Sequence, residues 1–157
     1  MQKITPFLWF DNQAEQAAKF YTSIFKNSKI TSLHNLGNDS PGPTKNVTIV
    51  TFQIEGQNFM AINGGPLFKF SSAISLYVEC QTQAEIDNLW EKLSEGGEKQ
   101  QCGWLIDKYG ITWQIVPAVL GELMNSKDAA ASRRVMEAML KMTKFDIAEL
   151  QRAAKQA

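Results

Sequence analysis

The sequence has a single histidine, two cysteines and no excess of charge of either sign. Cys80 and Cys102 lack the C-x-x-C spacing of zinc sites and disulfide scaffolds, so they are interpreted as free thiols. Lysine plus arginine and aspartate plus glutamate number 16 each, and no basic block occurs. A surface that binds nucleic acid needs such a block, so we expect no nucleic-acid partner.

Long apolar runs are also missing. The opening stretch MQKITPFLWFDN has one lysine, is broken by Pro6 and is ended by Asp11. It is too short for the apolar segment of a signal peptide and far too short for a membrane span. We therefore predict a cytoplasmic protein without a membrane partner.

What the sequence does contain is an internal repeat. The segment ITPFLWFDNQAEQAAKF, which begins at Ile4, aligns without a gap with ISLYVECQTQAEIDNLW, which begins at Ile74, at a constant offset of 70 residues. Both segments have the pattern of a strand followed by a helix. With 157 residues, of which 44% are hydrophobic, the chain is long enough for one domain built from two related halves.

Each predicted helix begins with the spacing of a capping box. Asn12 precedes Glu15 by three residues, and Thr82 precedes Glu85 by three. Apolar residues then recur at helical spacing, which predicts one buried stripe on each helix. The stripes comprise Ala14, Ala17, Ala18, Tyr21, Ile24 and Phe25 in the first helix, and Ile86, Leu89, Trp90 and Leu93 in the second.

Short strand patterns follow both helices. KITSLHNL, NVTIVTFQI and NFMAIN follow the first, while CGWLID and ITWQIV follow the second, where the middle strand is hard to recognise. The turns at Gly56 and Gly110 are equivalent, so Met60 corresponds to Gln114. The unit is therefore β-α-β-β-β, repeated at about 3–65 and 72–117 within a domain of residues 1–118. The connector NDSPGPTKN, residues 38–46, has the composition of a surface loop.

Residues 119–157 are predicted to form a helical extension without a counterpart in the repeat. Val135, Ala138, Met139 and Met142 have helical spacing, and Asp146 precedes Glu149 like another capped start. This apolar stripe must be covered, either by the chain's own sheet or by a second copy of the chain. Open sheet edges likewise favour exchange between two copies, so we expect a homodimer.

The doubled unit, closed by DKYGITWQIVP, resembles the vicinal oxygen chelate superfamily of glyoxalases, bleomycin-resistance proteins and extradiol dioxygenases. The segments FMAINGGPLFKF, QCGWLIDKYGITWQIVP and RRVMEAMLKMTKFDIAELQRA resemble its PhnB-like branch, the 3-demethylubiquinone-9 3-methyltransferase-like proteins. The resemblance implies an α+β fold in which two βαβββ modules form a curled mixed sheet around a cavity, with C-terminal helices and a homodimeric assembly.

In metal-bearing relatives, four ligands come from equivalent places in the two modules. The resemblance carries these places to Thr5, Met60, Ser75 and Gln114. None is histidine, aspartate or glutamate, and neutral oxygens with a thioether are poor ligands for a divalent cation. We therefore expect no metal and no cofactor, and we expect Gln114 to be a neutral hydrogen-bonding group that lines the cavity.

Strand alternation extends this set of candidate ligand-binding residues. If Thr5 and Ser75 point inward, then Ile4, Leu8, Phe10, Ile74, Leu76 and Val78 face the helices and the core. The inward residues combine aromatic and apolar surface with a few polar groups, which suits a small planar ligand. They are Thr5, Phe7, Trp9, Met60, Ile62, Ser75, Tyr77, Glu79, Thr112 and Gln114.

Two functions remain open at this point. The first is a metal-free protein that recognises or sequesters an apolar or aromatic metabolite or drug. The second is an enzyme of the same family, with methyl transfer or an isomerase or lyase step, in which Glu79 and Gln114 are the candidate catalytic residues. No glycine-rich turn of the adenosylmethionine-binding kind follows any strand pattern.

His34 and Cys102 are interpreted as structural or solvated rather than catalytic. Asn63-Gly64-Gly65-Pro66 is interpreted as a tight linker at the cavity mouth.

Overall fold

The chain divides into two units, Met1–Phe70 and Ser71–Ala157. The computed structural model describes residues 2–37 and 45–156. Most of the predicted surface loop, residues 38–44, therefore lies outside the described residues. Among the residues described, no helix has both the length and the apolar character needed to cross a membrane.

The first unit contains one helix and a four-stranded mixed sheet, sheet 1. In sheet 1 the strand order is β1-β4-β3-β2, with β1 parallel to β4 and the other pairs antiparallel. The elements are β1 (Phe7–Phe10), α1 (Ala14–Ile24), β2 (Lys29–Asn35), β3 (Thr48–Ile54) and β4 (Gln57–Asn63).

The second unit repeats this arrangement in sheet 2, whose order is β5-β8-β7-β6. Its second strand has only two residues, which explains why the sequence pattern there is faint. The predicted α+β class with two βαβββ modules is confirmed, and each module forms its own four-stranded sheet. The elements are β5 (Leu76–Cys80), α2 (Gln83–Ser94), β6 (Glu98–Lys99), β7 (Trp104–Ile106) and β8 (Thr112–Pro117).

Strand register confirms the alignment of the two halves. Phe7 pairs with Met60 in sheet 1, and Tyr77 pairs with Gln114 in sheet 2. The residues that follow the parallel pairs also match, because Gly64 N donates to Phe10 O at 2.9 Å and Ala118 N donates to Cys80 O at 2.8 Å. Met60 and Gln114 are therefore equivalent in the two sheets, as the turn glycines predicted.

The two module helices differ in how they begin. In α2, Thr82 accepts a hydrogen bond from Glu85 N at 3.2 Å, which confirms the predicted N-cap. The predicted cap at Asn12 is wrong, since α1 begins at Ala14 after Gln13, with no bond from a capping side chain of its own segment. The carboxamide of Asn63, at the end of β4, instead accepts from Ala14 N at 2.7 Å.

Both predicted apolar stripes are buried almost throughout, but the placement of Ile4 and Ile74 in the core is wrong. Ile4 is 85% exposed and Ile74 is 80% exposed. The strands begin only at Phe7 and Leu76, so strand alternation does not extend back to these isoleucines. Within β1 and β5 the alternation holds, and Phe10 and Cys80 are buried on the helix side.

Three helices, α3 (Val119–Met124), α4 (Ala129–Leu140) and α5 (Ile147–Lys155), complete the second unit. The predicted cap at Asp146 is confirmed, because Asp146 Oδ1 accepts from Glu149 N at 2.9 Å. Val135 and Met142 are buried in the single chain. The apolar stripe is therefore covered by its own chain, which removes the argument that a second copy must cover it.

The segment between α4 and α5 is fixed to the module by hydrogen bonds. Gly103 N donates to Thr143 O at 2.8 Å. The side chain of Gln83 bridges both sides of Phe145, since its Nε2 donates to Phe145 O and its Oε1 accepts from Ile147 N, each at 2.9 Å. Together these bonds attach the C-terminal helices to α2 and to the loop before β7.

Candidate functional site

Each sheet packs one face against its module helix and leaves its other face, here called the far face, for other contacts. In sheet 1, Val50, Phe52 and Ala61 on the helix side are fully buried. The alternating residues of the same strands are half-buried or exposed. The far face of sheet 1 is formed by Phe7, Trp9, Ile49, Thr51, Met60 and Ile62.

Register arranges this face in two rows across the strands. Phe7, Met60 and Thr51 form one row, and Trp9, Ile62 and Ile49 form the other. The second row ends at His34 on the edge strand β2. Neighbouring strands are about 4.8 Å apart, so the backbone of His34 lies roughly 14 Å from that of Trp9, measured across the strands. His34 is therefore at the exposed end of the row.

Trp9 is held by the linker that follows β4. Its Nε1 donates to Gly65 O at 2.9 Å, and its ring meets Phe68 edge-on with centroids 5.1 Å apart. A Cβ atom at Gly64 would lie 2.2 Å from the Trp9 ring, so only glycine allows this approach. The predicted tight linker thus packs directly on a predicted ligand-binding residue.

A polar pocket of about 570 Å³ lies beside this linker. It opens where β1 and β4 end and α1 begins, and its lining includes residues of the predicted linker, the predicted cap residue Asn12 and the end of the predicted surface loop. Its lining is dominated by carboxamides and two charges of opposite sign, which contrasts with the aromatic far face. The lining residues are Asp11, Asn12, Asn35, Lys45, Asn46, Thr48, Asn63, Gly65 and Pro66.

The far face of sheet 2 combines two aromatic rings with polar groups. Tyr77, Gln114 and Trp104 form one row across β5, β8 and β7. The side chains of Gln114 and Ser75, which were predicted to lie together, are joined by a hydrogen bond of 2.9 Å from Nε2 to Oγ. Glu79 follows Tyr77 on the same side of β5, and Ile106 pairs with Thr112.

Exposure differs strongly among these predicted residues. Tyr77 is 59% exposed and Glu79 is exposed, whereas Thr112 is only 2% exposed. The Thr112 hydroxyl shares a hydrogen bond of 2.9 Å with Ser72. A ligand on this face would therefore meet Tyr77 and Glu79 first, while Thr112 lies beneath Ser72.

Burial and the nearby carboxylate of Glu79 both raise the pKa of the Tyr77 phenol, so the phenol is protonated at neutral pH.

On the helix side of β5, burial raises the pKa of the Cys80 thiol to about 12, with smaller contributions from Glu85 and Glu79. Cys80 therefore carries almost no thiolate at neutral pH. Cys102 is half-buried, and its Sγ donates to Met139 O at 3.5 Å.

The turn that leads into β8 is organised by Asp107, whose side chain is almost completely buried. Its Oδ1 accepts from Tyr109 N at 2.8 Å and from Ile111 N at 3.1 Å. Its Oδ2 accepts from the indole Nε1 of Trp113 at 2.8 Å. This carboxylate therefore fixes the start of the strand that carries Gln114, and its role is structural.

The predicted metal-ligand positions, Thr5 and Met60 in the first unit and Ser75 and Gln114 in the second, carry side chains that are poor ligands for a divalent cation. Met60 offers a thioether, and Gln114 offers a neutral carboxamide whose nitrogen donates to Ser75 Oγ at 2.9 Å. Neutral hydroxyls, a thioether and a carboxamide do not balance the charge of a divalent cation. Across residues 2–37 and 45–156, no group of three or more histidine, cysteine, aspartate or glutamate side chains could hold a metal ion.

Sequence reasoning did not identify Trp104 and Ile106, or Ile49 and Thr51, on the far faces. Their strands alternate clearly, because Leu105 is buried between Trp104 and Ile106. The same alternation rule applied to CGWLID and NVTIVTFQI would have found them.

Comparison with known proteins gives one family and a set of similar structures. The model of the 3-demethylubiquinone-9 3-methyltransferase family matches residues 2–116. The PhnB protein from Bacillus cereus is 40% identical, covers 74% of this chain and 100% of its own, and superimposes with a TM-score of 0.67. No functionally curated protein matches the chain.

More distant structures show the same fold. Protein PA1353 from Pseudomonas aeruginosa is 21% identical, covers 74% of this chain and 98% of its own, and has a TM-score of 0.58. The fosfomycin resistance protein FosX from Listeria monocytogenes is 16% identical, covers 77% of this chain and 94% of its own, and has a TM-score of 0.55. At these identities the likeness concerns the fold alone.

Proposed function

Because this chain belongs to the 3-demethylubiquinone-9 3-methyltransferase family, within the PhnB-like branch of the vicinal oxygen chelate superfamily, we propose that it is a cytoplasmic protein that binds a small, flat, apolar or aromatic metabolite or drug without a metal ion. The family gives the scaffold, and one scaffold serves many functions. The choice of ligand class therefore depends on the side chains of this particular chain.

The far face of sheet 2 is the observation that carries this proposal. Aromatic rings on both sides of a carboxamide, in the row Tyr77–Gln114–Trp104, offer flat apolar contact together with one directional polar group. On sheet 1, Phe7 and Trp9 supply further aromatic surface. The candidate ligand-binding residues are Thr5, Phe7, Trp9, Met60, Ile62, Ser75, Tyr77, Glu79, Thr112 and Gln114, with Trp104 added.

A ligand screen tests the proposal. Thermal-shift measurements with metabolites and antibiotics should give hits whose binding weakens by about 1–3 kcal/mol in Tyr77→Ala, the scale of one buried aromatic contact. Met136→Ala is the matched control, because Met136 is also an exposed apolar residue but lies on α4. Equal loss in both variants, or none in Tyr77→Ala, would place the site elsewhere.

The purified protein is expected to contain no stoichiometric divalent metal, since its donor set is neutral at Thr5, Met60, Ser75 and Gln114. Elemental analysis after dialysis against a weak chelator checks this expectation. About one zinc, iron, nickel or manganese ion per chain would contradict it.

The family description implies a methyl donor, but the backbone does not fit the common adenosylmethionine-binding fold. That fold needs a glycine-rich turn between a strand and the next helix. In the described part of the chain, three junctions lead from a strand into a helix, and none contains glycine: Asp11-Asn12-Gln13 before α1, Gln81-Thr82 before α2, and Ala118 before α3.

An enzyme of the same family is the second candidate, favoured by the position of Glu79. Its carboxylate is close enough to raise the pKa of Tyr77, and both residues lie on the far face that carries Gln114. Glu79 would act as general base, while Tyr77 and Gln114 would bond the substrate. Product analysis on each ligand found in the screen decides between the candidates, because turnover that Glu79→Gln abolishes without loss of binding requires an enzyme.

We expect the protein to be a homodimer. Large apolar side chains that are exposed in the single chain, such as Ile4, Leu67 and Ile74, support this expectation. Light scattering at micromolar concentration should give about twice the chain mass of 17.6 kDa. A monomer that persists at high concentration would refute the dimer.

A further inference from the structure

We infer that Tyr77 and Trp104 form the two walls of a ring-binding clamp on the far face of sheet 2, and that this clamp selects a flat ring carrying an O–H or N–H donor, neutral or positively charged. This inference rests on the proposed function and narrows its ligand class. It assigns Trp104, which no sequence argument identified, as a ligand-binding residue, and Gln114 as the residue that determines specificity.

Strand geometry provides the space for such a ring. Tyr77 and Trp104 stand on β5 and β7, on either side of Gln114 on the central strand β8. Two strand spacings separate their backbones by about 10 Å. A flat ring in contact with an aromatic ring on each face needs about 7–8 Å between the two walls, so a small inward lean of the side chains is sufficient.

The carboxamide between the walls determines which ring edge is accepted. Gln114 Nε2 already donates a hydrogen bond to Ser75 Oγ at 2.9 Å. Its Oε1 has no hydrogen-bond partner within the described part of the chain, so it is left as an acceptor. A carbonyl oxygen accepts from O–H and N–H groups and repels another acceptor, which favours a donor on the ligand.

The charges on this face point to the same ligand class. Glu79 lies on the far face beside Tyr77, and Glu98 pairs with Ile106 at its outer edge. The remaining far-face residues of sheet 2 are neutral: Ser75, Tyr77, Trp104, Ile106, Thr112, Gln114 and Val116. Two carboxylates without a basic side chain in this set disfavour an anionic ligand and tolerate a cationic one.

Three probes that share one ring system test the inference on the full chain. They are 2-naphthol, which has a donor, 2-methoxynaphthalene, which has only an acceptor, and the anion 2-naphthoate. Dissociation constants from amide chemical-shift titrations should show 2-naphthol binding about five-fold tighter than 2-methoxynaphthalene, the effect of one hydrogen bond. The naphthoate should bind weakest, and the shifted amides should lie on β5, β7 and β8.

Variants distinguish the contribution of the aromatic walls to binding from that of the Gln114 acceptor. Trp104→Ala should weaken both neutral probes alike, by about ten-fold, and Trp104→Phe should restore most of this loss. Gln114→Leu should abolish the preference for 2-naphthol while leaving the affinity for 2-methoxynaphthalene nearly unchanged. If Trp104→Ala does not fold, Trp104→Leu replaces it, and Met136→Ala is the control without an expected effect.

Equal binding of the two neutral probes, tightest binding of the naphthoate, unchanged affinity in Trp104→Ala, or the absence of binding at millimolar concentration would each overturn the clamp. These failures are distinct from a failure of the proposed function. A ligand from the metabolite screen that depends on Tyr77 and not on Trp104 would keep the function and reject the clamp.

Discussion

Replacing Asp107 with alanine is expected to lower the free energy of unfolding by about 3–5 kcal/mol. The carboxylate is buried and accepts from two backbone amides, Tyr109 N and Ile111 N, and from the Trp113 indole. Alanine leaves these donors without an acceptor in a place that water does not reach readily, and it removes the group that shapes the turn before β8. Urea unfolding followed by circular dichroism measures the loss.

A pair of milder variants identifies the cause. In Asp107→Asn, one oxygen still serves the backbone amides, but the amide nitrogen faces the N–H of Trp113, so we expect a loss of about 1–3 kcal/mol. Combining it with Trp113→Phe removes that opposed donor, and the two losses should then be less than additive. Strict additivity would show that the indole bond contributes nothing and that only the turn depends on Asp107.

Gly103→Ala should destabilise the protein by about 2–5 kcal/mol. The residue has a φ of +76°, where an L side chain is strained. Its added Cβ would also lie 2.5 Å from the Phe145 ring and 2.6 Å from Ile115 O. The ring belongs to the segment before α5, so the substitution pushes the C-terminal helices away from β8.

Gly121→Ala is the matched control for this substitution. Gly121 lies in α3, and an added Cβ would meet nothing within 4 Å. Alanine is a better helix former than glycine, so we expect a gain of about 0.5–1 kcal/mol. Thermal unfolding of both variants checks the pair, and similar losses in the two would mean that the approach of Phe145 to Gly103 has no special importance.

The fold was predictable because the sequence patterns that determine it are local and occur in both halves. The offset of 70 residues, the helical stripes and the turns at Gly56 and Gly110 each determine an element or a register, and the observed pairs Phe7–Met60 and Tyr77–Gln114 agree with them. Period-two alternation then separates the helix side from the far face, because successive side chains of a strand point to opposite sides.

The errors come from contacts between residues that are distant in sequence or from strand ends. Asn63 caps α1 across 49 residues, and no spacing rule near Asn12 predicts such a partner. Ile4 lies before β1, and outside a strand successive side chains need not point to opposite sides. Trp104 lies on β7, a strand that contains none of the four positions from which the inward set was extended.

The sequence predicted which residues share a face in the candidate site, but not how their polar groups are oriented. Alternation placed Tyr77, Glu79 and Gln114 on one face, which the strand register supports. The orientation of the Gln114 amide depends on its bond to Ser75, across 39 residues, and sequence alone does not contain that bond. Its role in ligand binding stays a prediction.

The distribution of the four tryptophans has a spectroscopic consequence. Trp90 and Trp113 are buried on the helix side of sheet 2, whereas Trp9 and Trp104 are half-buried on the two far faces, one in each unit. Intrinsic fluorescence of the native chain is therefore a mixture of two sheltered emitters and two that a ligand can quench. A chain that carries Trp90→Phe and Trp113→Phe would keep one emitter for each sheet, and removing either remaining indole would reveal which half of the molecule its ligand meets.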